Sequence, residues 1–199
     1  MYFDLGVKER REDLFDFERE LEILLREIKD PVTRMVVIKG VRRTGKSSLL
    51  KVALSLCGLP HLYLDTRALE PLSPNDIYTI LADSLSKLIE KYRTLKKILG
   101  RVAGISFRGV EVEFVSKNQP TIIGAMEGLG GWGEERGTQV VLAVDEAQTC
   151  RAIRGFENLL AYCFDNLKGI KIVLTGSEVG VLDRLLGKRD ATAPLFGRP

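Results

Sequence analysis

Residues 40–47 read Gly-Val-Arg-Arg-Thr-Gly-Lys-Ser and fit the pattern G-x-x-x-x-G-K-[ST]. In such a loop, glycines allow the backbone to turn tightly, so that successive N–H groups point at phosphate oxygens. Lys46 supplies a mobile positive charge for the β- and γ-phosphates, and the hydroxyl of Ser47 is a hard oxygen ligand for Mg²⁺. The pattern therefore predicts a phosphate site for a nucleoside triphosphate with Mg²⁺, formed by Gly40, Val41, Arg42, Arg43, Thr44, Gly45, Lys46, Ser47 and Ser48.

A tight turn without a ligand is the alternative interpretation of this loop. At about 7% glycine usage, the fixed positions of the pattern arise by chance in a chain of this length on the order of once in a hundred. The loop also lies between a β-branched strand and an amphipathic helix, as a phosphate loop requires. We therefore favour phosphate binding. Arg42 and Arg43 have two interpretations, as phosphate or interface contacts or as exposed loop charges.

A second candidate group follows the apolar run 140–144, which ends in Asp145 and Glu146. If this run is a parallel strand, its carboxyl end lies at the same sheet edge as the phosphate loop. An acid at this point holds the Mg²⁺ shell in P-loop NTPases, which is the role predicted for Asp145. The neighbouring Glu146 could polarise a water molecule as a general base. Without the loop, a strand followed by Asp-Glu would more often be a helix cap.

Thr175, Gly176 and Ser177 follow a further strand. A hydroxyl there could contact the γ-phosphate or the attacking water, or it could cap a helix predicted over 179–186. The sequence leaves both interpretations open. The guanine-selecting pattern N-K-x-D is absent, since the nearest approach at 116–119 (Ser-Lys-Asn-Gln) lacks the acid. This favours ATP as the nucleotide.

The elements that must position these residues alternate between strands and helices, which predicts an α/β protein. The expected form is a three-layer P-loop NTPase fold with a mainly parallel central sheet and an inserted β-hairpin. The glycine-rich stretch 128–137 is predicted to be a flexible loop. Helices are predicted at 13–28, 47–56, 73–99 (capped by Ser73 or Asn75), 121–127, 153–167 and 179–186, strands at 35–38, 61–64, 140–144 and 171–174, and the hairpin at 105–107 and 110–114.

The composition is that of an ordinary globular protein of one domain, with 199 residues, 45% apolar residues and a formal charge of +3. The small positive excess is spread along the chain, so nucleic-acid binding is not supported. The longest apolar run, 140–144, is far shorter than the roughly 20 residues that span a membrane. The three cysteines lack metal-ligand spacing and are predicted to be buried in a reducing compartment. We expect a cytoplasmic protein without a membrane partner.

The phosphate loop, the Asp-Glu strand, the Thr-Gly-Ser strand end and residues 194–198 (Pro-Leu-Phe-Gly-Arg) together resemble the archaeal ATPase family, in the STAND branch of AAA+-related P-loop ATPases. The hairpin and residues 145–148 (Asp-Glu-Ala-Gln) are also similar to the family. Residues 15–21 resemble its opening helix, which usually has arginine where this chain has Phe17, so the contact of that arginine is in doubt.

The resemblance covers 1–199 as the core domain alone, with a helical segment at 1–30 and a hairpin insertion at 104–115. Members of the family normally continue into a helical lid and a winged-helix domain, and both are predicted to be absent from this chain. The resemblance also implies that the strand order is that of the additional-strand class, with the second strand on the far side of the Asp-Glu strand. It implies a phosphate contact for Arg198, unless that residue is a solvated tail charge. Asp65 and Arg67 resemble residues near the family's site, or they form a structural ion pair or cap.

The function predicted from these residues is Mg²⁺-dependent ATP hydrolysis, with Glu146, Lys46 and Asp145 as the catalytic residues. The resemblance favours a nucleotide-driven switch or regulatory module that hydrolysis resets, with a protein partner or self-association. A binding module with negligible turnover is one alternative. A DNA-associated, initiator-like ATPase would need a winged helix or a basic stripe. A small-molecule kinase would need an arginine-rich lid and an acceptor pocket.

Overall fold

The computed structural model describes residues 6–69, 73–177, 183, 187 and 192–197. Strands and helices alternate over most of this range, and a β-hairpin interrupts the alternation. Short 3₁₀ turns occur at Arg11–Asp13, Thr66–Leu69 and Ala147–Ala152. The regular elements are α1 (Glu18–Lys29), β1 (Met35–Lys39), α2 (Lys46–Cys57), β2 (His61–Asp65), α3 (Pro74–Lys91), α4 (Thr94–Leu99), β3 (Ile105–Arg108), β4 (Glu111–Phe114), α5 (Gln119–Glu134), β5 (Val140–Asp145), α6 (Phe156–Asn166) and β6 (Ile170–Gly176).

The central sheet has four parallel strands in the order β1-β6-β5-β2. Strand β6 lies between the strand that precedes the phosphate loop and the strand that ends in Asp145. Strand β2 lies on the far side of β5, as the family resemblance implies. In this register Lys39 pairs with Gly176, and Asp65 pairs with Asp145, so the carboxyl ends of all four strands meet at one edge. The predicted fold class is confirmed.

Side chains of the central strands alternate between two apolar layers, as the period of a β-strand requires. On one face, Val141, Ala143 and Val173 pack against α1 and α2. On the other face, strand residues such as Leu142 and Ile172 pack against α3 to α6 and the hairpin. The sheet is therefore covered on both faces, which explains why β5 and β6 are buried along their whole length.

Helix α1 begins at Glu18, later than the predicted residue 13. Asp16 has a φ of 55°, and Phe17 is also outside the helical region, so a right-handed helix cannot continue through them. At the other end, the fully buried Lys171 of β6 donates to the main-chain oxygens of Glu27 (3.0 Å) and Asp30. These carbonyls lie in and just beyond the last turn of α1. The amine therefore ties the end of α1 to the sheet, and burial lowers the pKa of Lys171.

The single helix predicted over 73–99 is wrong, because the chain leaves the helix between α3 and α4. Tyr92 has φ −126° and ψ 75°, and its ring packs edge-on against that of Trp132, with 5.2 Å between the ring centres. A tertiary contact therefore sets the break that local periodicity does not reveal. The predicted cap at Ser73 is present, since the main-chain N–H of Ser73 donates to Asp76 in a capping box.

The flexible loop predicted at 128–137 is also wrong, because α5 continues through Glu134. Its glycines permit close packing: a Cβ at Gly133 would lie 2.8 Å from the carbonyl oxygen of Thr138 and 3.2 Å from that of Gly169. Trp132 in the same stretch is buried in the core. The glycines therefore let α5 approach the neighbouring backbone closely, which composition alone does not distinguish from flexibility.

The hairpin of β3 and β4 has the predicted position, with Arg108 paired to Glu111 and a φ of 67° at Gly109 in the turn. All three cysteines are free and buried, as predicted. The helix predicted at 179–186 lies almost wholly outside the described residues, and so does Arg198. No helix in the described part of the chain has the length and apolar character needed to cross a membrane.

Candidate active site

The loop at 40–45 leaves β1 and leads directly into the first turn of α2. Gly45 has a φ of 82°, a conformation that favours glycine, and a Cβ there would lie 3.1 Å from the ring of Phe17. The Phe17 ring thus packs directly over the loop. A side chain at Gly40 would lie 3.3 Å from Oγ1 of Thr44. The backbone conformation therefore favours glycine at position 45, whereas a side chain at position 40 would require Thr44 to move by a few tenths of an ångström.

Lys46 and Ser47 are both buried in the first turn of α2. Nζ of Lys46 donates to the main-chain oxygen of Val41 at 2.7 Å, and Oγ1 of Thr44 donates to the same oxygen at 2.8 Å. The lysine therefore folds back across the loop. Because the first N–H groups of a helix lack partners within it and carry its positive dipole end, this turn is suited to bind an anion.

A cavity of about 920 Å³ opens in front of the loop. The N-terminal segment forms its other wall, and the main-chain N–H of Lys8 donates to Oγ of Ser48 at 2.9 Å, which attaches this wall to α2. Phe15 is 59% exposed, unusual for a large aromatic residue. The lining residues are Gly6, Val7, Lys8, Leu14, Phe15, Phe17, Arg42, Arg43, Thr44, Gly45, Lys46, Ser47, Ser48, Arg67 and Glu146.

Asp145 at the end of β5 is completely buried, and both of its carboxylate oxygens have partners. Its Oδ1 accepts from the hydroxyl of Thr175 on β6. Its Oδ2 accepts from the hydroxyl of Tyr63 on β2 at 2.7 Å and lies 3.1 Å from Nη2 of Arg67. Burial, followed by the charge of Asp145, raises the pKa of Tyr63, so this hydroxyl keeps its proton. The neighbouring strands thus hold the carboxylate from both sides.

Asp65 and Arg67 form a two-point ion pair beside Asp145. Nε and Nη2 of Arg67 lie 3.0 and 2.9 Å from the two carboxylate oxygens of Asp65. Burial would raise the pKa of Asp65, but the hydrogen bonds and charge of Arg67 outweigh it and hold that pKa below its ordinary value. The hydrogen bonds to Asp65 also raise the pKa of Arg67. The ion pair predicted as one interpretation is therefore present, and it extends to Asp145.

Glu146 has a left-handed backbone conformation, with φ 56° and ψ 49°, which is uncommon for a residue other than glycine. Its Oε2 accepts from Nε2 of Gln148 at 2.6 Å, from the main-chain N–H of Ser177 at 3.1 Å and from its hydroxyl at 2.7 Å. Burial opposes ionisation, but these hydrogen bonds and the charge of Lys46 lower the pKa of Glu146. Within the described residues, the buried Oε1 of Gln148 has no hydrogen-bond partner.

The backbone turn after β5 is fixed by threonine hydroxyls. Oγ1 of Thr66 is 2.7 Å from the main-chain oxygen of Asp145 and 3.0 Å from that of Glu146. Thr149 donates to Thr66 at 2.6 Å. The hydroxyl of Thr175 accepts from the main-chain N–H of Glu146 at 3.0 Å. These contacts offset the strain of the left-handed residue, and such strain is concentrated at functional sites.

The structure brings the sequence-predicted residues together at the carboxyl edge of the sheet. Lys46, Ser47 and Glu146 line one cavity. The buried Asp145 is not among its lining residues and contacts Arg67, which is. Sequence reasoning missed the roles of Tyr63 and Thr66. One signal could have found Tyr63: it stands two residues before Asp65 on β2 and therefore projects on the same side of that strand.

Solved structures with a similar fold include a Walker-type ATPase of Pyrococcus abyssi, with a TM-score of 0.71 and 34% identity over 100% of this chain and 55% of that one. The chain belongs to the archaeal P-loop ATPase family. The ORC2 protein of Aeropyrum pernix, solved in complexes with ADPNP and ADP, has a TM-score of 0.61 and 13% identity over 98% of this chain and 49% of that one. This second likeness concerns the fold alone.

The chain spans about half the length of each of these two solved proteins. No protein-family model matches it, and no curated protein matches it either. Membership of the archaeal P-loop ATPase family agrees with the strand order and the loop described above. The individual roles of Lys46, Ser47, Asp145 and Glu146 stay predictions.

Proposed function

We propose that this chain binds ATP with Mg²⁺ and hydrolyses it to ADP and phosphate, as a nucleotide-driven switch or regulatory module. One observation carries the proposal. Two pairs of residues meet at one edge of the sheet: Lys46 and Ser47 in the first turn of α2, and Asp145 and Glu146 at the end of β5. Only β6 lies between β5 and β1, the strand that leads into the phosphate loop.

The phosphate loop supplies the binding energy in this proposal. The buried first turn of α2 offers main-chain donors to phosphate oxygens. Nζ of Lys46 would exchange the carbonyl oxygen of Val41 for the β- and γ-phosphates, because a charge-assisted bond to an anion is stronger than one to a neutral carbonyl. Arg42 and Arg43 line the same cavity and add positive charge at its mouth.

The oxygen groups at this sheet edge are of the chemical type that Mg²⁺ prefers. Ser47 offers a hydroxyl and Asp145 a carboxylate, and Mg²⁺ usually binds through one or two carboxylates together with substrate phosphates. Among the described residues, no group of three His, Cys, Asp or Glu side chains could hold a metal on its own. The ion would arrive with the nucleotide and, once bound, neutralise charge on the phosphates.

Glu146 is suited to orient the attacking water. Its pKa is lowered, so it is ionised near neutral pH and can accept a proton or a hydrogen bond. The neighbouring Oε1 of Gln148 is a buried acceptor that could receive the second O–H of the same water. Lys46 would stabilise the charge that develops on the transferred phosphoryl group.

The N-terminal wall of the cavity suits a purine base. Val7, Phe15 and Phe17 line the cavity with apolar surface, and a flat base can stack on an exposed aromatic ring such as that of Phe15. This wall supports binding of a purine, and the absence of the pattern N-K-x-D favours adenine over guanine.

A nucleotide-binding module with negligible turnover is the second candidate, and one observation favours it. Oε2 of Glu146 accepts hydrogen bonds from Gln148 and Ser177, so the protein itself engages one oxygen of this carboxylate. If these contacts persist in the bound state, Glu146 is a weaker base and turnover is slow.

The test is calorimetric titration of the chain with ATP and with GTP in the presence of Mg²⁺, followed by measurement of phosphate release. We expect ATP to bind, Lys46→Ala to abolish binding, and Glu146→Gln to bind ATP without releasing phosphate. Lys87→Ala is the matched control, because Lys87 is exposed and pairs with Asp83 on the surface of α3, so this variant should bind ATP as the wild type does.

The outcomes separate the candidates. Binding without phosphate release from the wild-type chain would favour the binding module. Absence of ATP binding in a folded wild-type chain would refute both. Equal binding of ATP and GTP would contradict the assignment of the base.

A further inference from the structure

Arg67 contacts both Asp145, the proposed magnesium ligand, and the cavity in front of the phosphate loop. It lines the cavity, whereas Asp145, which it contacts at 3.1 Å, has no exposed surface. The guanidinium of Arg67 is therefore in contact with Asp145 and also borders the cavity. This inference rests on the proposed function, because it concerns what enters the cavity.

The guanidinium has capacity for a further anion. Its Nε and Nη2 serve Asp65 and Asp145, and Nη1 makes no hydrogen bond to any described residue. Arginine presents a planar fork that matches phosphate oxygens with two parallel bonds. Its pKa is raised by the hydrogen bonds to Asp65, so it carries its charge at every working pH.

Entry of a magnesium nucleotide would change the charge balance around this residue. In the structure described, Arg67 neutralises the buried carboxylate of Asp145. A divalent cation beside Asp145 would satisfy that carboxylate and repel the guanidinium, since like charges a few ångströms apart interact strongly in a buried site. A terminal phosphate in the same cavity would attract it. The backbone of Arg67 stays tied to Asp65 through its own N–H at 3.1 Å, so only the side chain needs to move.

We propose that Arg67 distinguishes ATP from ADP by its contact with the terminal phosphate. Its side chain pairs with Asp145 when the site is empty or holds ADP, and it moves to pair with the γ-phosphate when ATP binds. Arg67 is then a specificity-determining residue that favours ATP over ADP. Asp65 is a positioning residue, because its two-point contact orients the guanidinium in both states.

The test compares affinities for a non-hydrolysable imido analogue of ATP and for ADP, both with Mg²⁺, by calorimetry. Binding of an analogue removes turnover from the measurement. In the wild type we expect the analogue to bind more tightly than ADP. In Arg67→Gln we expect its dissociation constant to rise about tenfold or more, the loss of one charge-assisted contact, with that for ADP changing by less than about threefold.

Two further variants complete the design. Arg67→Lys keeps the charge without the fork and should lie between the wild type and Arg67→Gln. Arg108→Gln makes the same chemical change at the exposed hairpin and should leave both affinities unchanged. Circular dichroism establishes that each variant is folded. Arg67→Gln is preferred to Arg67→Ala, because glutamine can still donate to the buried Asp145 and so preserves the fold.

Each result has a definite meaning. Equal weakening of the analogue and ADP in Arg67→Gln would show a purely structural role and overturn the inference. Unchanged affinities would overturn it as well. A folded wild type that binds neither nucleotide would overturn the proposed function itself, an outcome separate from both of these.

Discussion

The hydroxyl of Ser177 lies 2.7 Å from Oε2 of Glu146, so the end of β6 holds the carboxylate that follows β5. The main-chain N–H of the same serine donates to the same oxygen at 3.1 Å. The sequence left two interpretations open for the Thr-Gly-Ser strand end, a contact near the reacting phosphate or a helix cap. In the structure this strand end contacts the acidic pair at the site. A helix cap at 179–186 falls outside the described residues.

The first prediction concerns this contact. Replacement of Ser177 by alanine removes a donor that lowers the pKa of Glu146, so the pKa of the carboxylate should rise. Since a general base must be ionised, the acid limb of the profile of kcat against pH should move to higher pH. We also expect kcat to fall about tenfold, the effect of roughly 1.4 kcal/mol, because the carboxylate is less firmly oriented. Steady-state phosphate release from pH 4 to 8 measures both effects.

Ser177→Thr is the control, because it keeps the hydroxyl and should retain most of the activity and the original pH profile. An unchanged pH profile in Ser177→Ala would mean that Ser177 does not influence the ionisation of Glu146 during turnover.

The second prediction concerns stability against acid. The pKa of Asp65 is held below its unfolded value by Arg67, so the unfolded chain binds more protons as the pH falls. Stability from this ion pair is therefore present above the unfolded pKa and is lost as pH falls through the folded one. Asp65→Asn should show a smaller loss of unfolding free energy between pH 6 and pH 3 than the wild type. Urea unfolding at a series of pH values tests this.

Asp83→Asn makes the same change at an exposed carboxylate that pairs with Lys87 on the surface of α3. Its pH dependence should match that of the wild type. If Asp65→Asn also matches the wild type, the ion pair with Arg67 does not stabilise the folded state.

The third prediction compares two glycines in α5. A Cβ at Gly131 would meet nothing within 4 Å, whereas one at Gly133 would lie 2.8 Å from the carbonyl oxygen of Thr138. Gly131→Ala should raise the free energy of unfolding by about 0.5–1 kcal/mol, through helix propensity alone. Gly133→Ala should lower it by about 1–3 kcal/mol, because backbone must shift to make room.

Urea unfolding at one pH measures both variants, and each serves as the control for the other. A stabilising effect of both substitutions would contradict the close packing of α5 against the backbone that follows it.

The fourth prediction concerns the apolar wall. Phe15→Ala should weaken ATP binding by about 5–150-fold, since base stacking on an aromatic ring contributes roughly 1–3 kcal/mol. Phe15→Trp should retain most of the affinity. Inorganic triphosphate, which has no base, should bind to the wild type and to Phe15→Ala with equal affinity. Calorimetry with both ligands distinguishes stacking from a general disturbance of the cavity.

The sequence predicted the strands and the loop well because their signals are local. The apolar runs that became β1 and β5 and the glycines of the loop each require one backbone geometry. An ion pair was also one of the interpretations that the sequence offered for Asp65 and Arg67. The sequence did not reveal that the pair extends to Asp145, because that contact depends on β2 lying beside β5.

The sequence-based predictions were wrong at positions where tertiary contacts determine the backbone conformation. The break at Tyr92 follows its packing on Trp132, and the helical course of 128–134 follows the close approach of α5 to the backbone around Gly169. Glycine is a weak helix former in isolation, so composition predicted a loop. The hydroxyl of Tyr63 could not be assigned to Asp145 without the strand order.

Helix α1 is fixed at both ends, by the ring of Phe17 on Gly45 and by the amine of Lys171 on the carbonyls of Glu27 and Asp30. One residue added to or removed from a helix turns one end by about 100° and shifts it by about 1.5 Å relative to the other. The chain between these anchors therefore tolerates changes of side chain on its outer face but not changes of length. Helix α1 therefore fixes the distance between the phosphate loop and the opposite edge of the sheet, where β6 begins.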